Sequence, residues 1–73
     1  MFEKLVEIIR NYVDVEPESI RPESRFIEDL GLTSFDFMSM LGELEEDLDI
    51  EVDAKSAAEI RTVQDAVNYL ETL

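Results

Sequence analysis

The sequence predicts an all-α domain of four helices, three of them substantial, the third short, and the first connection long. Three observations predict it. Apolar residues recur at helical spacing near the N-terminus, in the middle and at the C-terminus, and the two later stretches each open on a Ser or Thr with an acidic residue in the first turn. The chain also has no cysteine, so the fold rests on packed apolar faces and not on a disulfide framework. Seventy-three residues, 45% of them apolar, are enough for one small core without internal repeat or flexible linker, giving a single domain over residues 1–73.

The first helix is predicted over Phe2–Val13, where Phe2, Leu5, Val6, Ile9, Tyr12 and Val13 share one face and Glu3, Lys4, Glu7, Arg10 and Asn11 the other. Pro17 ends it, because the residue before a proline is pushed out of the helical region. Residues 14–33 hold two prolines and no sustained periodicity, so they form a long connection with a brief helical turn after Pro17 or Pro22. Ile20, Phe26, Ile27 and Leu30 are its expected anchors across the helix ends. Ordered loops of this length often serve a function.

Gly31 supplies a turn, Thr33 or Ser34 caps the second helix, and Asp36 in the first turn suits the helix dipole. That helix is predicted from Ser34 to about Leu48. At about 100° per residue, Phe37, Met40, Leu41, Leu44 and Leu48 fall on one buried stripe. Phe35 and Met38 project to its side, beside Gly42 and near Glu45, Glu46 and Asp49, which makes an apolar patch set in an acidic face. The alternating acids of Asp47–Asp53 superficially resemble a calcium loop but lack its turn glycine and spaced glutamate, and so form a solvated rim with no metal. Residues 54–59, rich in alanine, make one or two helical turns anchored by Ile60. Thr62 with Asp65 forms a capping box for the last helix, whose buried face is Val63, Ala66, Val67 and Leu70.

Nineteen acids against six Lys and Arg give a formal charge of −13. Nucleic acid and anionic membranes would be repelled, and partners with basic patches are favoured at a salt-dependent rate. With no His and no Cys, neither a Ser-His nor a Cys-His arrangement is available, and no catalytic residue is assigned. The N-terminus carries no signal sequence and no stretch approaches a membrane span, so the expected location is cytoplasmic.

Ser34 stands at the mouth of the second helix. A serine there is ordinarily a cap, and with no base near it in sequence it is a poor nucleophile. Any chemistry at Ser34 therefore makes it the acceptor of a group attached by another enzyme.

The run Phe26-Ile27-Glu28-Asp29-Leu30-Gly31-Leu32-Thr33-Ser34-Phe35-Asp36, the acidic helix Leu44–Val52 and the segment Ile60–Leu70 closely resemble the acyl carrier proteins, in order and over essentially the whole chain. The resemblance implies a four-helix bundle in which Ser34 matches the serine of an Asp-Ser-Leu motif. That serine receives 4′-phosphopantetheine from coenzyme A through a phosphopantetheinyl transferase. It further implies acyl groups held as thioesters, and a monomer that docks its second helix on acyl-transferring, synthase or ligase enzymes with basic patches. The expected partner contacts are Phe35, Asp36, Met38, Glu45, Glu46 and Asp49.

Thr33 stands where the family usually has aspartate, and Phe35 where it has leucine or methionine; Ser39 and Gly42 make the middle of the helix less acidic and less bulky. The cargo is accordingly expected to belong to fatty acid synthesis or to a specialised acyl or polyketide pathway. The alternatives are an aminoacyl or D-alanyl carrier, and an unmodified protein-interaction module on the same fold.

Overall fold

In the computed structural model, which describes residues 1–73, the chain forms four α-helices and one 3₁₀ turn. Helix α1 is Phe2–Ile9, α2 is Ser34–Leu48, α3 is Ala54–Glu59 and α4 is Val63–Glu71, with the 3₁₀ turn at Pro17–Ser19. Helix α1 packs against both α2 and α4. Leu5, Ile8 and Ile9 of α1 meet Met40, Leu41 and Leu44 of α2 and Val63, Ala66, Val67 and Leu70 of α4 in one core.

The first helix is shorter than its periodicity predicts. Beyond Ile9 the hydrogen bonds tighten to three-residue spacing, Asn11 N–H to Ile8 O and Tyr12 N–H to Ile9 O, both at 3.0 Å. Such tightening is a usual way to satisfy the last carbonyls of a helix. It brings two side chains onto α2: Tyr12 Oη donates to Glu43 Oε1 at 2.9 Å and Asn11 Nδ2 to Glu43 Oε2 at 3.2 Å. Burial, reinforced by the Glu43 carboxylate, raises the Tyr12 phenol above its ordinary value. The polar face of α1 is likewise not wholly solvated, since Lys4 pairs with Asp47 of α2 at 3.3 Å. Ile8, absent from the predicted stripe, is fully part of the core.

The long connection is ordered by the start of α4. Phe26 N–H donates to Arg61 O at 3.0 Å, Val63 N–H to Ser24 O at 3.0 Å and Gln64 N–H to Pro22 O at 2.8 Å, so residues 22–26 lie antiparallel to the approach to α4. Four of the seventeen core residues, Ile20, Phe26, Leu30 and Leu32, come from this segment. Backbone bonds from Asp29 and Leu30 to Arg25 O wind residues 25–30 into a turn. The turn puts Phe26 and Leu30 inward, four residues apart, and Ile27 outward. Ile27 is 46% exposed against 1% for Phe26, which corrects its expected role as an anchor.

The predicted caps are present, and one was not foreseen. Thr62 accepts from Asp65 N–H at 3.0 Å while Asp65 Oδ2 accepts the Thr62 N–H at 3.1 Å, the reciprocal box expected from the sequence. Asp53, expected only as part of an acidic rim, caps α3 by accepting the Ser56 N–H at 2.8 Å. Backbone hydrogen bonds from Arg61 and Thr62 hold the Asp65 carboxyl below its ordinary value, and bonding from Ser56 does the same for Asp53.

Phe26→Ala should lower stability in urea titration by about 3–5 kcal/mol, the usual range for emptying a buried aromatic site. Ile27→Ala, on the outer side of the same turn, should cost less than about 1 kcal/mol. Because the folded pKa of Asp65 lies below its ordinary 3.8, its stabilising contribution is complete above that pH and is lost as pH falls through the depressed folded value. The melting temperature of Asp65→Asn should therefore sit a few °C below wild type at neutral pH, consistent with roughly 0.3–1.5 kcal/mol for a capping interaction, and the gap should narrow below pH 3.8.

Candidate functional site

Gly31, at φ 82°, occupies the left-handed region that favours glycine and turns the chain toward α2. Leu32 then anchors in the core, its N–H bonded to Phe26 O at 3.1 Å, so the entry to α2 is fixed from the loop side. Thr33 is the N-cap: its Oγ1 accepts the Asp36 N–H at 3.0 Å, and Asp36 Oδ2 accepts the Thr33 N–H at 3.3 Å. The cap is therefore Thr33 and not Ser34. Ser34 is the first residue of α2, exposed, with its hydroxyl spared the capping task.

Beside Ser34 lies an apolar cavity of about 350 Å³ lined by Ile27, Ser34, Phe37, Met38, Ala54, Ala57 and Ala58. A second cavity, of about 300 Å³, shares Ile27, Phe37, Ala57 and Ala58 with it and ends at Glu28 and Arg61. The two form one groove between the start of α2, the 25–30 turn and α3. Its floor is Phe37, whose ring stacks at 47° on Phe26 with centroids 5.3 Å apart. Such tilted aromatic pairs are favourable beyond the area they bury, which ties the floor to the core. Its α3 wall is all alanine, and the small side chains leave the space open. The alanines of residues 54–58 and the exposed Ile27 were missed as site residues; the run of alanines was the available signal.

The residues expected at a partner surface are distributed along α2. Phe35 is 79% exposed and Met38 59%, while Phe37, Met40, Leu41 and Leu44 are buried and Leu48 half-buried, as the helical wheel requires. Glu46 and Asp49 are exposed. Asp36 and Glu45 are half-buried with one carboxylate oxygen each engaged within the chain, Asp36 on Thr33 N–H and Glu45 on Val52 N–H at 2.8 Å. Asp49 closes α2 in the left-handed conformation, φ 53° and ψ 52°, which aspartate tolerates better than most residues. No group of three or more His, Cys, Asp or Glu side chains comes together to hold a metal ion, and no helix is long and apolar enough to cross a membrane.

A small helical bundle with an uncommitted serine hydroxyl at a helix mouth, next to an apolar groove, has the form of a carrier domain. The family model described as the phosphopantetheine attachment site matches residues 3–70. An acyl carrier protein of Wolinella succinogenes is 39% identical over 72 residues, covering 99% of this chain and 95% of its own. A solved structure assigned as an acyl carrier protein of Mycobacterium tuberculosis superposes with a TM-score of 0.86 at 25% identity, covering 97% of this chain and 95% of that one. The chain belongs to the acyl carrier protein family, whose prosthetic group is a covalently held phosphopantetheine. Proteins of this family are carriers that work with a phosphopantetheinyl transferase and with acyl-handling enzymes.

The residues at the groove fit that group: an exposed hydroxyl for the phosphate ester and apolar walls next to it. Thr33→Ala should cost about 1 kcal/mol, a fall of roughly 4–8 °C in melting temperature. Thr33→Asp, which keeps a capping oxygen, should melt near wild type by circular dichroism.

Proposed function

We propose that Ser34 is the attachment point of phosphopantetheine. The chain then presents acyl groups, held as thioesters, to successive enzymes of fatty acid synthesis or of a specialised acyl or polyketide pathway. The observation that supports this most is the exposed first residue of α2, relieved of capping by Thr33 and bordered by an apolar groove. When bound, the group supplies a terminal thiol on a flexible arm, for which a chain without cysteine has no equivalent.

Each neighbouring residue has a part. Thr33 and Asp36 lock the first turn of α2 and so fix the direction in which the Ser34 hydroxyl leaves the helix. Ile27, Phe37 and Ala57 offer apolar surface that withdraws an acyl chain from water. Phe35 and Met38 give an incoming enzyme an exposed apolar foothold, with Glu46 and Asp49 as free carboxylates for its basic patch. Asp36 and Glu45 add negative charge to the same face. The chain acts as a cytoplasmic monomer whose encounters are with proteins, one at a time.

Intact mass after co-expression with a broad-specificity phosphopantetheinyl transferase tests the attachment. Wild type should gain one phosphopantetheine and Ser34→Ala none; a mass that never rises, or a Ser34→Ala chain that still gains it, sinks the assignment. In the same assay Met38→Glu, folded by circular dichroism, should be modified several-fold more slowly, since it replaces an apolar foothold with a charge. An unchanged rate would remove Met38 from the docking face.

A further inference from the structure

The α2–α3 connection is held at both ends by one residue, Glu45, through its backbone carbonyl at one end and its side chain at the other. The Glu45 carbonyl accepts the Asp49 N–H and the Ile50 N–H, the latter at 3.1 Å, where the backbone reverses through the left-handed Asp49. Seven residues along, Glu45 Oε2 accepts the Val52 N–H at 2.8 Å in a partly buried position. A hydrogen bond to an ionised carboxylate is stronger than a neutral one. Val52 is the last residue before the Asp53 cap of α3, so this bond fixes where α3 begins.

Helix α3 depends on such support. It has six residues, of which Ala57 alone is buried. A helix this short does not hold itself together in water. Its far end is anchored by Ile60 in the core, and its near end by Asp53 and the Glu45 bond. The same helix supplies Ala54, Ala57 and Ala58 to the groove beside Ser34.

We infer that Glu45 is a positioning residue for that groove: its bond to Val52 sets α3 against the groove and so sets the groove's width, while the neighbouring Glu46 is left free to meet partners. The inference rests on the reading that Ser34 carries the arm and that the groove shelters what the arm carries. Adjacent glutamates on one helix turn thus have different tasks, decided by which of them faces the Val52 amide.

Hydrogen exchange on the full unmodified chain tests the first half. Glu45→Ala should speed exchange at Val52 and at the α3 amides by about tenfold, with α1 and α4 unchanged. Glu45→Gln retains an acceptor oxygen and should stay closer to wild type, and Glu46→Ala should match wild type. The second half uses chains loaded with hexanoyl-phosphopantetheine: hydroxylamine should cleave the thioester several-fold faster in Glu45→Ala than in Glu46→Ala. Unchanged exchange in Glu45→Ala, loss of protection throughout the molecule, or equal cleavage in the two variants would overturn the inference. Failure to load wild type at Ser34 would instead sink the carrier reading, while exchange on the unloaded chain still decides whether Glu45 holds α3.

Discussion

The position of Ser34 depends on the pairing of residues 22–26 with the approach to α4. Three backbone hydrogen bonds, from Phe26 to Arg61, Val63 to Ser24 and Gln64 to Pro22, convert an otherwise structureless connection into part of the core. Phe26 then serves three neighbours at once. Its ring meets Phe37 of α2, its N–H is tied to the α3–α4 junction, and its carbonyl holds Leu32 two residues before Ser34. Closing a loop of this length costs conformational entropy that grows only slowly with its length, so a few well-buried anchors suffice to order it. With the loop released, Gly31 and Thr33 would still favour a turn and a cap, but nothing would fix their place relative to the groove.

Much of this was legible in the sequence, and the parts that were not share a cause. The helices, the buried stripe of α2 and the Thr62–Asp65 box follow from local pattern: 3.6-residue periodicity and the preference of Thr and Asp for helix starts. Ile27 departs from the pattern because hydrophobicity says that a side chain is apolar, not which way a turn points it; the Arg25–Leu30 turn sends Phe26 and Leu30 inward and Ile27 to the groove. Asp53 and Glu45 looked like generic surface acids because their partners, the Ser56 and Val52 amides, are defined only by tertiary geometry. Helix α1 ends at Ile9, short of its apolar face, because that face continues through Tyr12 while the backbone has already tightened near the Glu43 contact.

The acidity of the chain is partly structural. Of nineteen carboxylates, eight are bound within the fold: Asp36, Asp53 and Asp65 at helix starts, Glu43 and Glu45 on neighbouring elements, and Glu28, Asp29 and Asp47 in ion pairs. The arrangement is one-sided. Acids occupy or cap the starts of α1, α2, α3 and α4, yet no helix has a basic residue in its last turn. Negative charge at helix starts and positive charge at helix ends are both favourable, and this fold uses only the first. Six Lys and Arg against nineteen acids leave the excess standing, and the exposed ion pairs add little to stability. The remaining eleven carboxylates make no hydrogen bond or ion pair within the fold.

The same distinction bears on Thr33, which, on the resemblance of residues 26–36 to the family's motif, stands where an aspartate is usual. Two tasks are combined in an aspartate at that position: capping α2 and placing a negative charge beside the serine. The Thr33 hydroxyl performs the first, since its Oγ1 accepts the Asp36 N–H with the geometry of a full capping box. It cannot perform the second. The next carboxylate along the helix is that of Asp36, half-buried and accepting the Thr33 N–H, so the acid of this turn lies two residues beyond Ser34 and is engaged within the chain. The start of the helix is thus preserved while its local field is changed. An enzyme that recognises the serine through the shape of the turn would meet an ordinary site, and one that recognises it through a carboxylate at the preceding residue would meet a neutral one.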